Sequence, residues 1–150
     1  MKITLCGSVA FIHEMDAVRA QLEALGHEVK MPPLTKPGEH GEPIPTLEYY
    51  AIKKSTVNDP KHWIWKQHDS AIRAHFQKVA WADAVLITNY NKNGVAHYVG
   101  PNTLMEMGLA FHLEKLIFLL HAVPEISYKE ELLGMKPIVL AGDLHLIPNP

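Results

Sequence analysis

The sequence predicts an α/β fold built around a parallel β-sheet, and three observations carry this prediction. Short apolar runs rich in Ile, Val and Leu recur along the chain, at residues 2–6, 84–88 and 116–120. Segments with a helical spacing of apolar residues lie between these runs. The chain has 150 residues, of which 47% are hydrophobic and 20% charged, and this suits one globular domain with a sizeable core. Alternating strands and helices pack best as a sheet covered by helices on both faces.

The N-terminal part of the chain predicts a strand, a helix and a second strand. Residues 2–6 are typical of a buried parallel strand. Between residues 15 and 25, apolar side chains recur at spacings of three and four, which gives one apolar helix face. Gly26 stands where a glycine commonly ends a helix. Residues 27–31 predict a second, weaker strand, so this part forms the strand–helix–strand unit of parallel sheets.

Residues 32–60 differ in character from the rest of the chain. They hold six prolines and two glycines, which predicts a long insertion with at most a short helix over residues 47–55. Such insertions are uncommon inside compact domains and are often functional. A floppy surface loop and a substrate lid both fit the composition. We favour a lid-like insertion within a single domain over residues 1–150, because the segment leaves the carboxyl edge of the predicted sheet.

The second half of the chain predicts three helices that alternate with three strands. Asn102 is a favourable N-cap for the middle helix, and Ser127 with Glu130 forms a capping-box pattern for the last one. The predicted elements are a helix over residues 62–82, a strand over 84–88, a loop over 89–99, a helix over 103–113, a strand over 116–120, a helix over 127–135 and a strand over 137–140.

This order of elements predicts a single-domain, Rossmann-like or flavodoxin-like three-layer sandwich with five parallel strands in the order 2-1-3-4-5. Ligands of such sheets bind at the carboxyl ends of the strands, where the strand order reverses. That point lies between the first and third strands. Gly7 and Ser8 follow the first strand, Asn89 follows the third, and residues 102–106 begin the next helix. We therefore expect these distant segments to meet at one edge.

The composition excludes several classes of protein. The formal net charge is −2 and no Lys/Arg run occurs, which argues against binding a nucleic acid polymer. A single cysteine, Cys6, excludes an internal disulfide framework and fits a reducing compartment. The N-terminus lacks a signal-peptide pattern, and no apolar stretch approaches the roughly 20 residues of a membrane span. We expect a cytoplasmic protein with no membrane contact.

A few polar residues at the predicted site edge are candidates for chemistry. Glu106 lies near the positive end of a helix dipole, which predicts an ionised carboxylate that serves either as a nucleophile or as ordinary first-turn capping. Gly7 and Ser8 form either an anion-binding turn or a plain tight turn. His75 shares a helix face with His68 and is a candidate general acid or base. No HExxH pattern occurs, so no metal site is predicted.

Three segments resemble the nucleoside 2-deoxyribosyltransferase superfamily, which includes deoxynucleoside monophosphate N-glycosidases. They are Leu-Cys-Gly-Ser at residues 5–8, Ala-Asp-Ala-Val-Leu-Ile at 82–87, and Asn-Thr-Leu-Met-Glu-Met-Gly-Leu-Ala at 102–110. The similarity covers residues 2–120 in order and spacing. It implies that Glu106 attacks the anomeric carbon of a sugar, that the base leaves, and that water or a second base resolves the glycosyl-enzyme ester.

Two positions depart from the family pattern. Relatives carry an aspartate at the position of His75, and the transferases carry another at the position of Gly100. From these departures we infer hydrolysis in preference to base transfer, with His75 as general acid or substrate orienter. The resemblance further implies that Gly7, Ser8, Asn102 and Thr103 bind sugar hydroxyls or a 5′-phosphate. Asn89, at the end of the third strand, is expected to face the ligand.

The main functional hypothesis is thus an enzyme that cleaves the N-glycosidic bond of a small-molecule nucleotide or nucleoside without a cofactor. A non-catalytic nucleotide-binding module on the same fold is the alternative. A histidine-based metal hydrolase is a third and weaker one. Trp63, Trp65 and Trp81 lie on or beside one helix with a large apolar face, and they predict a homo-oligomer, a dimer or higher.

Overall fold

The computed structural model describes residues 1–149 and consists of a central parallel sheet, five helices and a small hairpin. The five longer helices correspond to the five helices that the sequence predicts. The elements are β1 (Lys2–Cys6), α1 (Ile12–Ala24), β2 (Glu28–Lys30), β3 (Thr35–Pro37), β4 (Pro43–Pro45), α2 (Thr46–Ser55), α3 (Ile64–Trp81), β5 (Ala84–Ile87), α4 (Pro101–His112), β6 (Leu116–Leu119), α5 (Lys129–Gly134) and β7 (Ile138–Val139), with short 3₁₀ helices at Val9–Phe11 and Leu144–Leu146.

The main sheet has the strand order β2-β1-β5-β6-β7, and its neighbouring strands are paired in parallel. Counted over the strands of this sheet alone, the order is the predicted 2-1-3-4-5. The predicted α/β fold class is therefore confirmed. The order reverses between β1 and β5, where Leu5 pairs with Leu86 and Cys6 with Ile87.

Helices cover both faces of the sheet because successive strand residues point to opposite sides. On one face, Ile3, Leu5 and Leu86 pack with α1 and with the segment after β7. On the other face, Cys6 and Ile87 belong to a second apolar cluster with α3, α4 and α5. The central strands β1 and β5 are almost entirely buried, as is usual for parallel strands covered on both sides.

Several element boundaries differ from the predicted ones. Helix α4 begins at Pro101, with Gly100 as its N-cap, so the prediction of Asn102 as the N-cap is wrong. Proline is favourable at the first helical position because its missing N–H would have no partner there. The predicted capping box at Ser127 is also wrong, since α5 begins at Lys129 with Tyr128 as its N-cap and no side-chain cap.

The insertion at residues 32–60 is more regular than the sequence suggests. It contains the antiparallel hairpin of β3 and β4 and the ten-residue helix α2. Thr46 fastens α2 to the preceding chain: its backbone N–H donates to the Leu34 carbonyl and its hydroxyl donates to the Pro33 carbonyl. No helix within residues 1–149 has both the length and the apolar character that crossing a bilayer requires.

Candidate active site

A cavity of about 680 Å³ opens at the carboxyl edge of the sheet, where the strand order reverses. Its walls come from parts of the chain that are distant in sequence: the turn after β1, the insertion with α2, one face of α3, the loop after β5 and the start of α4. The predicted site residues that line it are Gly7, Ser8, His75, Asn102, Thr103 and Glu106. The expected meeting of these segments at one edge is therefore found.

Glu106 is almost fully buried, with 3% of its surface exposed. The amide Nδ2 of Asn102, one turn earlier on α4, donates to its Oε1 at 2.9 Å. The other oxygen, Oε2, has no hydrogen-bond partner among the described residues. Burial raises the pKa of Glu106 to about 8, although hydrogen bonds from Cys6 and Asn102 and the charge of Lys36 act against the shift.

The expectation that the helix dipole keeps Glu106 ionised is therefore wrong at neutral pH. With Pro101 as the first helical residue, Glu106 is the sixth, beyond the first turn where the dipole acts most strongly. The cost of burying a charge outweighs the remaining attraction. Asn102 partly compensates for the burial through a side-chain hydrogen bond to the carboxyl group.

His75 on α3 lies beside this carboxyl group. Its Nε2 is 3.6 Å from Glu106 Oε1 and 3.5 Å from Cys6 Sγ. Burial, together with the charges of Lys78 and Lys36, lowers the pKa of His75 to about 4. The imidazole is thus neutral at neutral pH and does not stand ready as a protonated general acid. Its Nδ1 lacks a hydrogen-bond partner within residues 1–149.

The turn after β1 differs from a free anion-binding loop. Ser8 caps the following 3₁₀ helix, its Oγ accepting from the Ala10 N–H at 3.4 Å and from Lys92 Nζ at 2.6 Å. A Cβ added at Gly7 would lie 2.3 Å from Thr88 Oγ1 and 3.1 Å from the Thr88 carbonyl oxygen. Gly7 is therefore needed for the close approach of two strand ends, besides lining the cavity.

Asn89 does not line the cavity, and its predicted ligand contact is wrong. Its side chain is buried and fully used within the protein. Oδ1 accepts from the His121 N–H at 2.8 Å, and Nδ2 donates to the Ala122 carbonyl at 2.9 Å and to the carbonyls of His97 and His121 at 3.3 Å. Asn89 thus joins the loop after β5 to the end of β6.

Thr103 is buried at the start of α4 and lines the cavity. Gly100, the N-cap of this helix, lines the cavity too. A Cβ at Gly100 would lie 3.1 Å from Cε1 of Tyr98, so this ring occupies much of the space that a side chain at position 100 would enter. Where the transferase pattern has an acidic side chain, this chain has Gly100, and the ring of Tyr98 occupies the adjacent space.

Sequence reasoning missed the basic side chains of the cavity. Five lysines line it: three come from the insertion, one from the last turn of α3 and one from the loop after β5. Part of the signal was readable, because Tyr50, Lys53 and Lys54 recur at spacings of three and four on α2. The positions of Lys36 and Lys92 in the cavity could not be predicted, because each residue belongs to a different segment of the chain.

Cys6, His75 and Glu106 also form the one set of three metal-ligating side chains within residues 1–149 whose donor atoms lie within 4.8 Å of one another. Thiolate, imidazole and carboxylate are ligand types that zinc accepts. Burial raises the pKa values of the Cys6 thiol and the Glu106 carboxyl, so both groups hold protons that a metal would have to displace. The prediction of a metal-free site stays a prediction.

No protein-family model matches the chain, and no curated protein is similar to it in sequence. Among solved structures, it is similar to a 2-deoxyribosyltransferase of Bacillus psychrosaccharolyticus, with a TM-score of 0.51 and 16% identity over 79% of this chain and 71% of that chain. It is also similar to the CMP N-glycosidase BcmB of Clostridium botulinum, with a TM-score of 0.48 and 18% identity over 93% of this chain and 85% of that chain. At 16% identity the first likeness establishes the fold alone. This fold agrees with the one that the sequence resemblance implies.

Proposed function

We propose that the protein cleaves the N-glycosidic bond of a nucleotide or nucleoside, with Glu106 as the attacking group. One observation carries this proposal: Glu106 and His75, 31 positions apart in the chain, lie with their polar atoms 3.6 Å apart, both buried against one cavity. Two buried titratable groups with opposite pKa shifts, facing a ligand-sized cavity, form a candidate functional site. The structural resemblance of the fold agrees with this chemistry.

The protonation state of the two groups supplies the proton that the reaction needs. Between pH about 4 and about 8, the pair holds one proton, and burial favours its residence on Glu106 rather than on His75. Transfer of this proton to His75 Nε2 would create a carboxylate and an imidazolium. A sugar that develops positive charge at its anomeric carbon stabilises the carboxylate, and this favours the transfer as the reaction begins.

The reaction then balances with no further acid or base. The Glu106 carboxylate attacks the anomeric carbon, the bond from that carbon to the base nitrogen breaks, and the His75 imidazolium protonates the departing base. The result is a glycosyl ester on Glu106, neutral His75 and the free base. Water then cleaves the ester, which yields the free sugar and returns a protonated carboxyl group. His75 acts here as a proton relay, which explains why its own pKa need not be near neutrality.

The turn after β1 and the first turn of α4 are proposed to bind the sugar hydroxyls or a 5′-phosphate of the substrate. Gly7 and Ser8 follow β1, and Asn102 and Thr103 lie in the first turn of α4, whose N–H groups favour an anion or a sugar hydroxyl. Asn102 would also orient Glu106 through the hydrogen bond at 2.9 Å. Hydrolysis is preferred to transfer because Gly100 stands where the transferases carry an acidic residue.

The decisive experiment compares the protein with its Glu106→Gln variant. Purified protein is incubated with a panel of nucleosides and nucleoside monophosphates, and free base is measured by chromatography. Glutamine keeps the size and the contact with Asn102 but cannot form the ester, so we expect kcat to fall by about 1000-fold or more. Glu48→Gln, at a glutamate exposed on α2, is the matched control and should leave the rate unchanged.

Two results would contradict the proposal. Absence of base release from every member of the panel, with the protein folded, removes the enzymatic function. Full activity of the Glu106→Gln variant removes Glu106 from the mechanism.

A non-catalytic nucleotide-binding module is the second candidate, and the high pKa of Glu106 favours it. A carboxyl group with a pKa of about 8 is mostly protonated at neutral pH and then serves as a hydrogen-bond donor to a base or sugar. This candidate predicts that a nucleotide raises the melting temperature without being consumed. Base release during the same incubation decides against it.

A further inference from the structure

The cavity carries far more positive charge than the rest of the protein. Glu106 is the only acidic residue in its lining, whereas five lysines face the same space, in a chain whose formal net charge is −2. None of the five forms an ion pair with a carboxylate in the part of the chain that the structure describes. These lysines are Lys36, Lys53, Lys54, Lys78 and Lys92.

Three of these ammonium groups converge on one aromatic ring. Nζ atoms of Lys53 and Lys54 each lie 5.6 Å from the ring centroid of Tyr50, and that of Lys92 lies 5.1 Å from it. Lys92 Nζ also donates to the Tyr50 hydroxyl at 2.9 Å and to Ser8 Oγ at 2.6 Å. The ammonium group of Lys92 therefore joins Tyr50 of α2 to the turn after β1.

Gathering these charges is unfavourable in the absence of a ligand. Burial lowers the pKa of Lys53; the interaction with Tyr50 opposes this shift, and the charges of Lys54 and Lys92 add to it. Burial, Lys53 and Lys78 lower the pKa of Lys36 to about 8. Like charges that stay together without a carboxylate partner are typical of a site that binds an anion.

Local structure explains only part of this arrangement. Lys53 and Lys54 lie in the last turn of α2, where basic residues interact favourably with the helix dipole, and stacking on Tyr50 adds a small attraction. Lys92, from the loop after β5, and Lys36, from β3, also stack on tyrosine rings, with Nζ 5.1 Å from the Tyr50 centroid and 4.8 Å from the Tyr49 centroid, but such contacts add only a small attraction at each lysine. An anionic ligand would stabilise all of these like charges together.

The amount of charge indicates which anion fits. A single phosphate group carries a charge of about −2 and leaves most of the lysines unneutralised. The lysines reach the cavity from different segments: Lys92 contacts Ser8 in the turn after β1, and Lys53 and Lys54 lie in the last turn of α2. A ligand with linked phosphates that contacts Ser8 and Lys92 would also come near Lys53 and Lys54, because all three ammonium groups adjoin the Tyr50 ring.

We propose that the ligand is a nucleotide with two or more linked phosphates, of which Ser8, Tyr50 and Lys92 bind the first and Lys53 and Lys54 bind the next. The assignment of the sugar end to Glu106 rests on the proposed function. The phosphate site rests on the lysines alone. Because the insertion at residues 32–60 supplies Tyr50, Lys53 and Lys54, it determines which phosphate-bearing ligands the cavity accepts.

The test measures dissociation constants by calorimetry at fixed, low salt. The probes are the mono- and diphosphates of adenosine, guanosine, cytidine and uridine and of their deoxy forms, with inorganic pyrophosphate as a probe without a base. We expect the diphosphate of the preferred nucleoside to bind at least about tenfold tighter than its monophosphate, the effect of one added charge-assisted contact. Pyrophosphate should bind and compete with the diphosphate.

The double variant Lys53→Gln/Lys54→Gln isolates the second phosphate position. It should remove the advantage of the diphosphate while the monophosphate affinity changes by less than about threefold, because Ser8, Tyr50 and Lys92 remain. Lys66→Gln, at an exposed lysine of α3 outside the cavity, is the matched control and should retain the full difference. Circular dichroism and the melting temperature verify that each variant is folded.

The outcomes separate this inference from the proposed function. Equal affinity for mono- and diphosphates, or a double variant that keeps the difference, overturns the inference even if base release is observed. Tighter binding of the diphosphate that depends on Lys53 and Lys54 supports it even if no base is released, and in that case only the proposed hydrolysis fails.

Discussion

Glu106 shows how a single residue can combine a favourable position with an unfavourable environment. It sits near the start of α4 and faces a ligand-sized cavity, yet it is buried and one of its oxygens has no partner in residues 1–149. An unpaired buried carboxyl group reduces stability, and proteins retain such groups mainly where they serve function. The free energy of unfolding should therefore respond to the protonation of this one group.

The direction of the response follows from the pKa values. Glu106 has a pKa of about 8 in the folded protein and an ordinary value of 4.5, so between these values the folded state binds a proton that the unfolded state has released. Its contribution to stability falls as pH rises through this range. His75 acts oppositely between about 4 and 6.5, where the unfolded state binds the extra proton. The two effects oppose each other below 6.5. Between pH 6.5 and about 8 the decline from Glu106 dominates, and the lowered pKa of Lys36, about 8, opposes it only toward the upper end of this range.

We therefore predict that the free energy of unfolding decreases between pH 6.5 and pH 8, by on the order of 1 kcal/mol. Urea denaturation at the two pH values measures it. The Glu106→Gln variant has no proton to lose at this position, so its stability should be nearly the same at both pH values. An equal decline in the variant would show that another group causes it and would contradict the buried, protonated state of Glu106.

At the scale of residues, the sequence predicted the identity of the candidate site residues better than it predicted their contacts and ionisation. The meeting of Glu106 with the turn after β1 followed from strand order, and the candidacy of His75 followed from the family resemblance. Asn89 was misjudged because its partners are backbone carbonyls of a loop and of the residues after β6, and no side-chain pattern reports those. The ionisation of Glu106 was misjudged because it depends on burial by α3 and the insertion, which only the folded chain reveals.

At the scale of elements, the junction between β1 and β5 controls the geometry of the site. The Thr88 hydroxyl donates to the Cys6 carbonyl at 3.2 Å, and the Thr88 N–H donates to the same carbonyl at 2.8 Å. These bonds extend the parallel pairing beyond the strand ends and bring Thr88 against Gly7. The turn that carries Ser8 is thus fixed by the sheet, and the absence of a side chain at position 7 makes this possible.

We predict that Gly7→Ala destabilises the protein by about 1–3 kcal/mol, because its new methyl group would lie 2.3 Å from Thr88 Oγ1 and 3.1 Å from a backbone oxygen that cannot move independently. Gly108→Ala on α4 is the matched control. A Cβ there meets no atom within 4 Å, and alanine is the better helix former, so this variant should be unchanged or slightly more stable. Thermal unfolding measures both. Equal stability of the two variants would contradict the close packing at Gly7.

The hairpin of β3 and β4 marks the limit of sequence reasoning about elements. Its register pairs Thr35 with Pro45 and Pro37 with Pro43, and prolines lack the N–H that a strand normally donates. Propensity therefore favours a loop, as predicted. The two-stranded hairpin forms nonetheless, and Thr46 fastens it through hydrogen bonds to residues 33 and 34. Local sequence patterns do not predict hydrogen bonds between residues this far apart in the chain.

At the scale of the whole molecule, the sheet and the insertion have separate tasks. The sheet brings the ends of β1 and β5 and the start of α4 to one edge, and this part of the architecture was predictable from the alternation of elements alone. The insertion covers that edge and supplies most of the positive charge. The same sheet with a different insertion would retain Glu106 but accept a different ligand, which agrees with the general separation of fold and function.

The predicted homo-oligomer is also a property of the whole molecule, and the structure changes where its interface should be sought. Trp65 lines the cavity and donates to the Asp59 carbonyl, and Trp81 stacks under Lys30, so these rings already have partners within the chain. The exposed apolar side chains of α4 are better candidates. Phe111 is 54% exposed and Met105 47% exposed on the outer surface of this helix.

We predict a dimeric or larger mass by light scattering at working concentration, and a shift toward the monomer in the Phe111→Glu variant. A charge placed in an apolar interface is costly, whereas on a free surface it changes little. Leu146→Glu is the matched control, since Leu146 is 57% exposed and lies in the chain between Leu144 and Ile147, which belong to the core cluster on the opposite face of the sheet. A monomeric mass for the unaltered protein contradicts the prediction. If Leu146→Glu disrupts the dimer and Phe111→Glu leaves it intact, the interface lies on that opposite face. It is then remote from α4, whose first turn forms part of the cavity wall.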